Sequence, residues 1–181
     1  MKSITAFNQS AVLKSINRHS TVIDATVGNG HDTLFLAKHA MKVHGFDVQE
    51  EAIEKTTKRL KEEGFSNASL HLKSHHLMDQ FDFKQVDAIM FNFGYLPGGN
   101  KAFTTKKETS LLALEKALGL LSPGGIITLA LYPGHKEGKK EATSIEEYVK
   151  TLPKTQFDTV SYKPLNKADA PYSIIIEKRK D

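Results

Sequence analysis

Apolar and polar positions along this chain switch repeatedly between a helical and a strand period. Ala11, Val12, Leu13 and Ile16 recur at helical spacing and predict a helix over Phe7–Arg18. A strand over Thr21–Thr26 leads to a helix over Asp32–Met41. A second strand, Val43–Asp47, leads to a charged helix over Gln49–Glu63 that Gly64 stops. Ala68–Lys73 reads as a third strand, and Val86–Phe91, a largely apolar run of the buried type, as a fourth. A glycine-proline loop spans Gly94–Asn100. The helix Ser110–Leu121 ends on the breaker Ser122-Pro123-Gly124-Gly125, and strand five follows over Ile126–Leu131. Gly134–Lys140, charged and containing glycine, predicts a mobile loop. A helix over Ser144–Leu152 and strands over Phe157–Tyr162 and Tyr172–Glu177 complete the chain, with no internal repeat.

This alternation predicts an α/β fold: one doubly wound, mostly parallel seven-stranded sheet with helices on both faces. At 181 residues a single domain over 1–181 is expected. In such sheets ligands sit beyond the carboxyl ends of the strands. The informative residues gather there: Gly28–Asp32 after strand one, Asp47 after two, His75 and His76 after three, Asn92–Gly98 after four, Tyr132–His135 after five.

Composition narrows the classes without choosing among them. The chain has no cysteine, which rules out disulfides and thiolate metal sites and fits a reducing cytoplasm. No signal peptide and no apolar run of membrane-spanning length is visible. A net charge of +4 permits a polyanionic partner such as RNA without requiring one.

The stretch Val22-Ile23-Asp24-Ala25-Thr26-Val27-Gly28-Asn29-Gly30-His31-Asp32-Thr33 is a strand, a glycine turn and a helix start. That order makes a nucleotide-type binding loop, with the helix N-terminus turned to the ligand. Asp47 follows Asp24 by 23 positions and is suited to two ribose hydroxyls. The dinucleotide fingerprint requires a third glycine where Thr33 stands, whereas S-adenosylmethionine enzymes accept the looser Asp24-x-Thr26-x-Gly28-x-Gly30. The expected cofactor is therefore S-adenosyl-L-methionine. Its candidate contacts are Asp24, Thr26, Gly28, Asn29, Gly30, Asp32, Thr33, Asp47, Gln49, His75, His76 and Asn92. Asp32 has two readings: a partner for the cofactor's amino group, or a carboxylate favouring a helix N-terminus. His75 and His76 stand where an adenine contact is expected, and a histidine pair alone makes no metal site.

After strand four comes Asn92-Phe93-Gly94-Tyr95-Leu96-Pro97-Gly98. Enzymes that methylate amino nitrogens often carry Asp/Asn-Pro-Pro-Tyr/Phe there, and Asn92 and Tyr95 fill its first and fourth positions. The Asn92 oxygen would accept an amine N–H and turn the lone pair toward the methyl donor. Phe93 and Tyr95 would dry the pocket and stack a splayed base. His135 is a candidate proton acceptor, with water as the alternative. Lysines over Lys101–Lys107 and at Lys136, Lys139 and Lys140 are candidate phosphate contacts or plain solvated surface.

Taken together, Asp24 to Thr33, Asn92 to Gly99 and Tyr132-Pro133-Gly134-His135 resemble the YtqB-like rRNA methylases, a family associated with the MnmM activity. The resemblance runs over nearly the whole chain, to Pro171-Tyr172 and the last strand. It implies a Rossmann-like class I methyltransferase fold, S-adenosylmethionine as donor, and methylation of the amino group of 5-aminomethyl-(2-thio)uridine at the tRNA wobble position. It also implies a tRNA anticodon stem-loop as partner and a homodimer. Two departures stand out: Arg18-His19-Ser20 replaces a Pro-Gly turn, and His135-Lys136-Glu137-Gly138 is charged where a glycine-rich run is usual. The competing readings are an rRNA or small-molecule N-methyltransferase, a non-catalytic RNA-binding module, and, weakest, a nicotinamide oxidoreductase.

Overall fold

Val22 and Ile23 are adjacent and both fully buried, yet they enter different cores. Val22 packs with Val43, Ala88 and Met90 on one face of a sheet, and Ile23 with Phe46, Ile89 and Phe91 on the other. A strand buried on both faces needs helices on both sides. The structure, a computed structural model, describes residues 2–93 and 107–180. Its elements are α1 (Ile4–Val12), β1 (Thr21–Asp24), α2 (His31–His39), β2 (Lys42–Asp47), α3 (Glu50–Glu62) and β3 (Ala68–Leu72), then a short 3₁₀ helix (His75–Gln80). They continue with β4 (Val86–Asn92), α4 (Lys107–Leu120), β5 (Leu121–Leu131), α5 (Lys136–Lys150), β6 (Phe157–Tyr162) and β7 (Tyr172–Lys178). The sheet has seven strands in the order β3-β2-β1-β4-β5-β7-β6. Neighbours from β3 through β5 run parallel, and β7 is antiparallel to both β5 and β6. The order reverses between β1 and β4, so the carboxyl ends of β1, β2 and β4 open onto one crevice.

Three boundaries depart from the periodicity, each for a local reason. The first helix spans Ile4–Val12, not Phe7–Arg18. Ser3 caps it by accepting from Ala6 N at 3.2 Å. The helix stops short because Asn17 and Ser20 turn the chain with side-chain bonds, Asn17 N to Ser20 Oγ at 3.0 Å and His19 N to Asn17 Oδ1 at 2.8 Å. These bonds do the work of the missing Pro-Gly turn.

Strand five begins at Leu121, one residue ahead of the expected breaker, and runs through it. The irregularity appears instead as a register shift between Val86 and Ala88, with Gly124 at φ 77°. The segment Gly134–Lys140 is not a loop throughout: α5 starts at Lys136, and the expected helix Ser144–Leu152 overlaps its second half. Burial of Ala142, Ile145 and Val149 against the Ile23 core sustains its length.

α1 packs across β5 and β7 and is pinned at several points. Phe7 stacks on Tyr162 with ring centroids 4.1 Å apart, and the Tyr162 hydroxyl donates to Lys2 O at 3.2 Å. The buried Asn8 side chain accepts from Ser173 Oγ. Among the described residues no helix is long and apolar enough to cross a membrane.

Candidate active site

β1 delivers Asp24 to its carboxyl end, and the chain turns through Gly28 and Gly30 into α2. Gly30 adopts φ 76°, and a Cβ there would lie 2.5 Å from the Thr56 hydroxyl oxygen on α3. Glycine is therefore required twice, by conformation and by space. Thr56 itself is fully buried and donates to Gly28 O at 3.4 Å, propping the loop from below.

Asp24 is fully buried. One oxygen accepts from Thr26 N at 3.2 Å and the other from the Thr33 hydroxyl at 2.6 Å. Asp24 and Thr33, both fully buried, therefore brace the loop from inside. Burial, and after it the neighbouring Asp32 carboxylate, push the Asp24 carboxyl up to about 7. A raised carboxyl stabilises the fold below its unfolded value near 3.8, and that contribution is lost as pH rises through about 7. His44 and His75, held down to about 4 chiefly by burial, oppose it: their contribution is present above 6.5 and lost as pH falls toward 4. The difference between wild type and Asp24→Asn isolates the carboxyl: asparagine carries no charge, its oxygen still accepts from Thr26 N, and its NH₂ donates to a turned Thr33 hydroxyl in place of the bond Asp24 accepts. Between about pH 4 and 7 the stability gap should tilt in favour of Asp24→Asn by up to about 1.4 kcal/mol per pH unit. Denaturant titrations at several pH values measure it, and parallel curves would show an ordinary carboxyl.

Asp47, at the end of β2, is half-buried, with Oδ2 accepting from Gly28 N at 2.9 Å and Oδ1 from Gln49 N at 3.0 Å. Each carboxylate oxygen has a second lone pair, so the group can still take two hydroxyls. Gln49 joins the site through its backbone and precedes α3. Asn29 borders a cleft that it shares with Lys55, Lys58 and Arg59 of α3.

The third cluster joins β1, α2 and β4. Asn92 N donates to the Thr26 hydroxyl at 2.7 Å, tying the end of β4 to the glycine loop. Asn92 Nδ2 donates to Asp32 Oδ2, while Gln9 Nε2 of α1 donates to Asp32 Oδ1 at 2.8 Å. Asp32 is buried in the first turn of α2, so it serves the helix terminus and the Asn92 amide together. A carboxylate only accepts, which forces the Asn92 amide nitrogen toward Asp32 and leaves its oxygen outward. Tyr132, after β5, faces the same group: burial first, and the Asp32 charge second, raise its phenol.

The remaining candidates fall differently. His75 is buried edge-on to Phe91 and Phe93, and among the described residues its Nε2 has no hydrogen-bond partner. Its ring is held neutral mainly by burial, while a backbone bond with Ala25 pulls the other way and places it beside the start of the loop. His76 turns aside to Ser74 Oγ at 2.7 Å. His135 is the N-cap of α5: its Nδ1 accepts from Gly138 N at 3.0 Å, so that nitrogen is occupied while the helix stands. Phe93 is 1% exposed and stacks on Phe91 at 5.1 Å, so it fills the core and offers no face to a base. Tyr95, Gly94, Leu96 to Gly98 and the lysines Lys101 and Lys106 lie outside the described residues. Gln9 and Thr56 escaped the sequence reading as site residues, and Tyr132 was placed in the strand-five cluster without a role. The Ala52-Thr56-Leu60 stripe would have marked Thr56 as buried, whereas nothing local marks Gln9.

Comparison with known proteins agrees with this architecture. Residues 43–178 match the family described as "Putative rRNA methylase". The chain is 36% identical over 180 residues to the chloroplastic tRNA (mnm(5)s(2)U34)-methyltransferase of Arabidopsis thaliana, covering 92% of this chain and 66% of that protein, a little under two thirds. It superposes on SMU.1697c of Streptococcus mutans, described as a "putative methyltransferase" and solved with SAH, with a TM-score of 0.92, 35% identity, and 98% and 99% of the two chains covered. An rRNA-methylase structure from Clostridium thermocellum, also qualified as putative, gives a TM-score of 0.95 at 36% identity, with 98% of each chain covered. With the seven-stranded class I methyltransferase sheet and these matches in hand, the chain belongs to the rRNA methylase family.

Proposed function

We propose that this methyltransferase moves a methyl group from S-adenosylmethionine to the primary amine of 5-aminomethyl-(2-thio)uridine at the wobble position of a tRNA. The observation that carries the amine assignment is the Asn92 amide, fixed nitrogen-inward on Asp32 with its oxygen turned away from that carboxylate. The glycine loop, the two spare lone pairs of Asp47 and the His75 Nε2, unpartnered among the described residues, fit the donor's adenosine half. When bound, the donor supplies an electrophilic methyl on a sulfonium.

This chain's residues then do three things. The Asn92 oxygen accepts one N–H of the neutral amine and aims its lone pair. Thr26 and Asp32 hold Asn92 at the end of β4. The amine, with an ordinary pKa of about 10, must shed its proton before attack, and a poorly hydrated pocket favours the neutral form. Water takes the proton, since the His135 Nδ1 is engaged as a helix cap. Once the amine has taken the methyl that the donor would supply, its nitrogen must lose a second proton, again to water.

The tRNA assignment is supported by the Arabidopsis relative, whose activity is on U34 of tRNA. Nucleoside mass spectrometry of tRNA from cells lacking this protein should show the aminomethyl nucleoside accumulating in place of its methylated form. Purified protein should methylate that tRNA and ignore tRNA still bearing the bulkier, anionic carboxymethylaminomethyl group. Methylation of ribosomal RNA alone would overturn the substrate and leave the methyltransferase standing.

A further inference from the structure

We infer that Gln9 is a positioning residue for methyl transfer, acting through Asp32 on the Asn92 amide. The inference rests on the role proposed for Asn92. Gln9 lies on α1, 23 positions before Asp32, which is itself 60 before Asn92, and is half-buried. Asp32 stands between the two amides, with one oxygen on each. Because a carboxylate has only acceptors, both amides must present their NH₂ groups, and both amide oxygens must face away from it. The arrangement follows from chemistry, whichever way an amide is drawn.

The outer end of this chain of contacts is stiff. The flanking residues of Gln9 on α1 are pinned by the Phe7–Tyr162 stack and the Asn8–Ser173 bond. The carboxylate torsion of an aspartate is broad and roughly two-fold, so one donor alone leaves it free to swing. Two donors on opposite oxygens fix its plane, and with it the plane of the Asn92 amide. Gln9 therefore sharpens where the Asn92 oxygen points without itself meeting the substrate. A site supported by a locked outer shell holds its geometry better than one left to a single bond.

The test compares Gln9→Leu, which removes the donor at similar bulk, with Gln9→Lys, which restores one. S-adenosylhomocysteine is the binding probe, and tRNA from cells lacking this protein is the methyl acceptor. Gln9→Leu should keep its S-adenosylhomocysteine affinity within about twofold and its KM for tRNA, and lose about tenfold in kcat, a cost typical of small misplacement of a reacting group. Gln9→Lys should recover most of it. In parallel, the Asn92 side-chain NH₂ resonances, assigned by their loss in Asn92→Ala, should move in Gln9→Leu and return in Gln9→Lys. Unmoved resonances, or equal kcat losses in both variants, would overturn the inference. If wild type transfers nothing to that tRNA, the substrate proposal fails, and the resonances alone decide the role of Gln9.

Discussion

Asn92→Ala should lose at least about 100-fold in turnover while still binding S-adenosylhomocysteine. The backbone bond from Asn92 N to Thr26 survives the substitution, so the end of β4 stays joined to the glycine loop. What disappears is the amide whose oxygen would orient the amine, together with one donor to Asp32. Asp32 keeps Gln9, so the buried carboxylate is not stranded. The lost hydrogen bond to a charged group costs about 1.5–3 kcal/mol of stability, visible as a lowered melting temperature with a cooperative transition retained. Loss of an interaction made chiefly in the transition state lowers kcat and kcat/KM together. Steady-state kinetics alongside calorimetric cofactor titration measure both. Full activity, or collapse of the fold, would assign Asn92 to the turn alone.

Asp47→Ala should weaken S-adenosylhomocysteine binding by about 1.5–3 kcal/mol, or about 10- to 150-fold. Part of this is the loss of acceptors for the ribose hydroxyls. Part is indirect, because Asp47 also accepts from Gly28 N and so shapes the loop that lines the pocket. Asp47→Asn separates the two: its single carbonyl oxygen can replace one acceptor but not both, so it should fall between wild type and Asp47→Ala. Titration calorimetry ranks the three, and equal affinities would remove Asp47 from the cofactor site.

The strand-and-helix alternation, the glycine loop after Asp24 and the placement of Asp47 were readable before any coordinates, because each depends on neighbours in the chain. A helix announces itself over a few turns, a buried strand such as β4 by its apolar stretch Ala88–Phe91, and Gly30 by a turn that side chains resist. Element ends were less legible where side chains compete with the backbone, as at Asn17 and Ser20, or where tertiary burial extends a helix through charged residues, as in α5.

What each candidate side chain does was decided only by packing. Phe93 and Asn92 are adjacent, yet strand parity turns one into the core and leaves the other at the crevice. His135 carries a catalytic-looking ring in a suggestive motif, and the start of α5 claims its Nδ1 as a cap. Asp24 and Asp47 both end strands beside the loop, but Asp24 is wholly enclosed and braces it while Asp47 stays half-open. The Gln9–Asp32–Asn92 set draws on three elements separated by long stretches of chain. Hydrogen bonds across such separations leave no periodicity in the sequence, because their geometry exists only once the sheet has brought α1, α2 and β4 together.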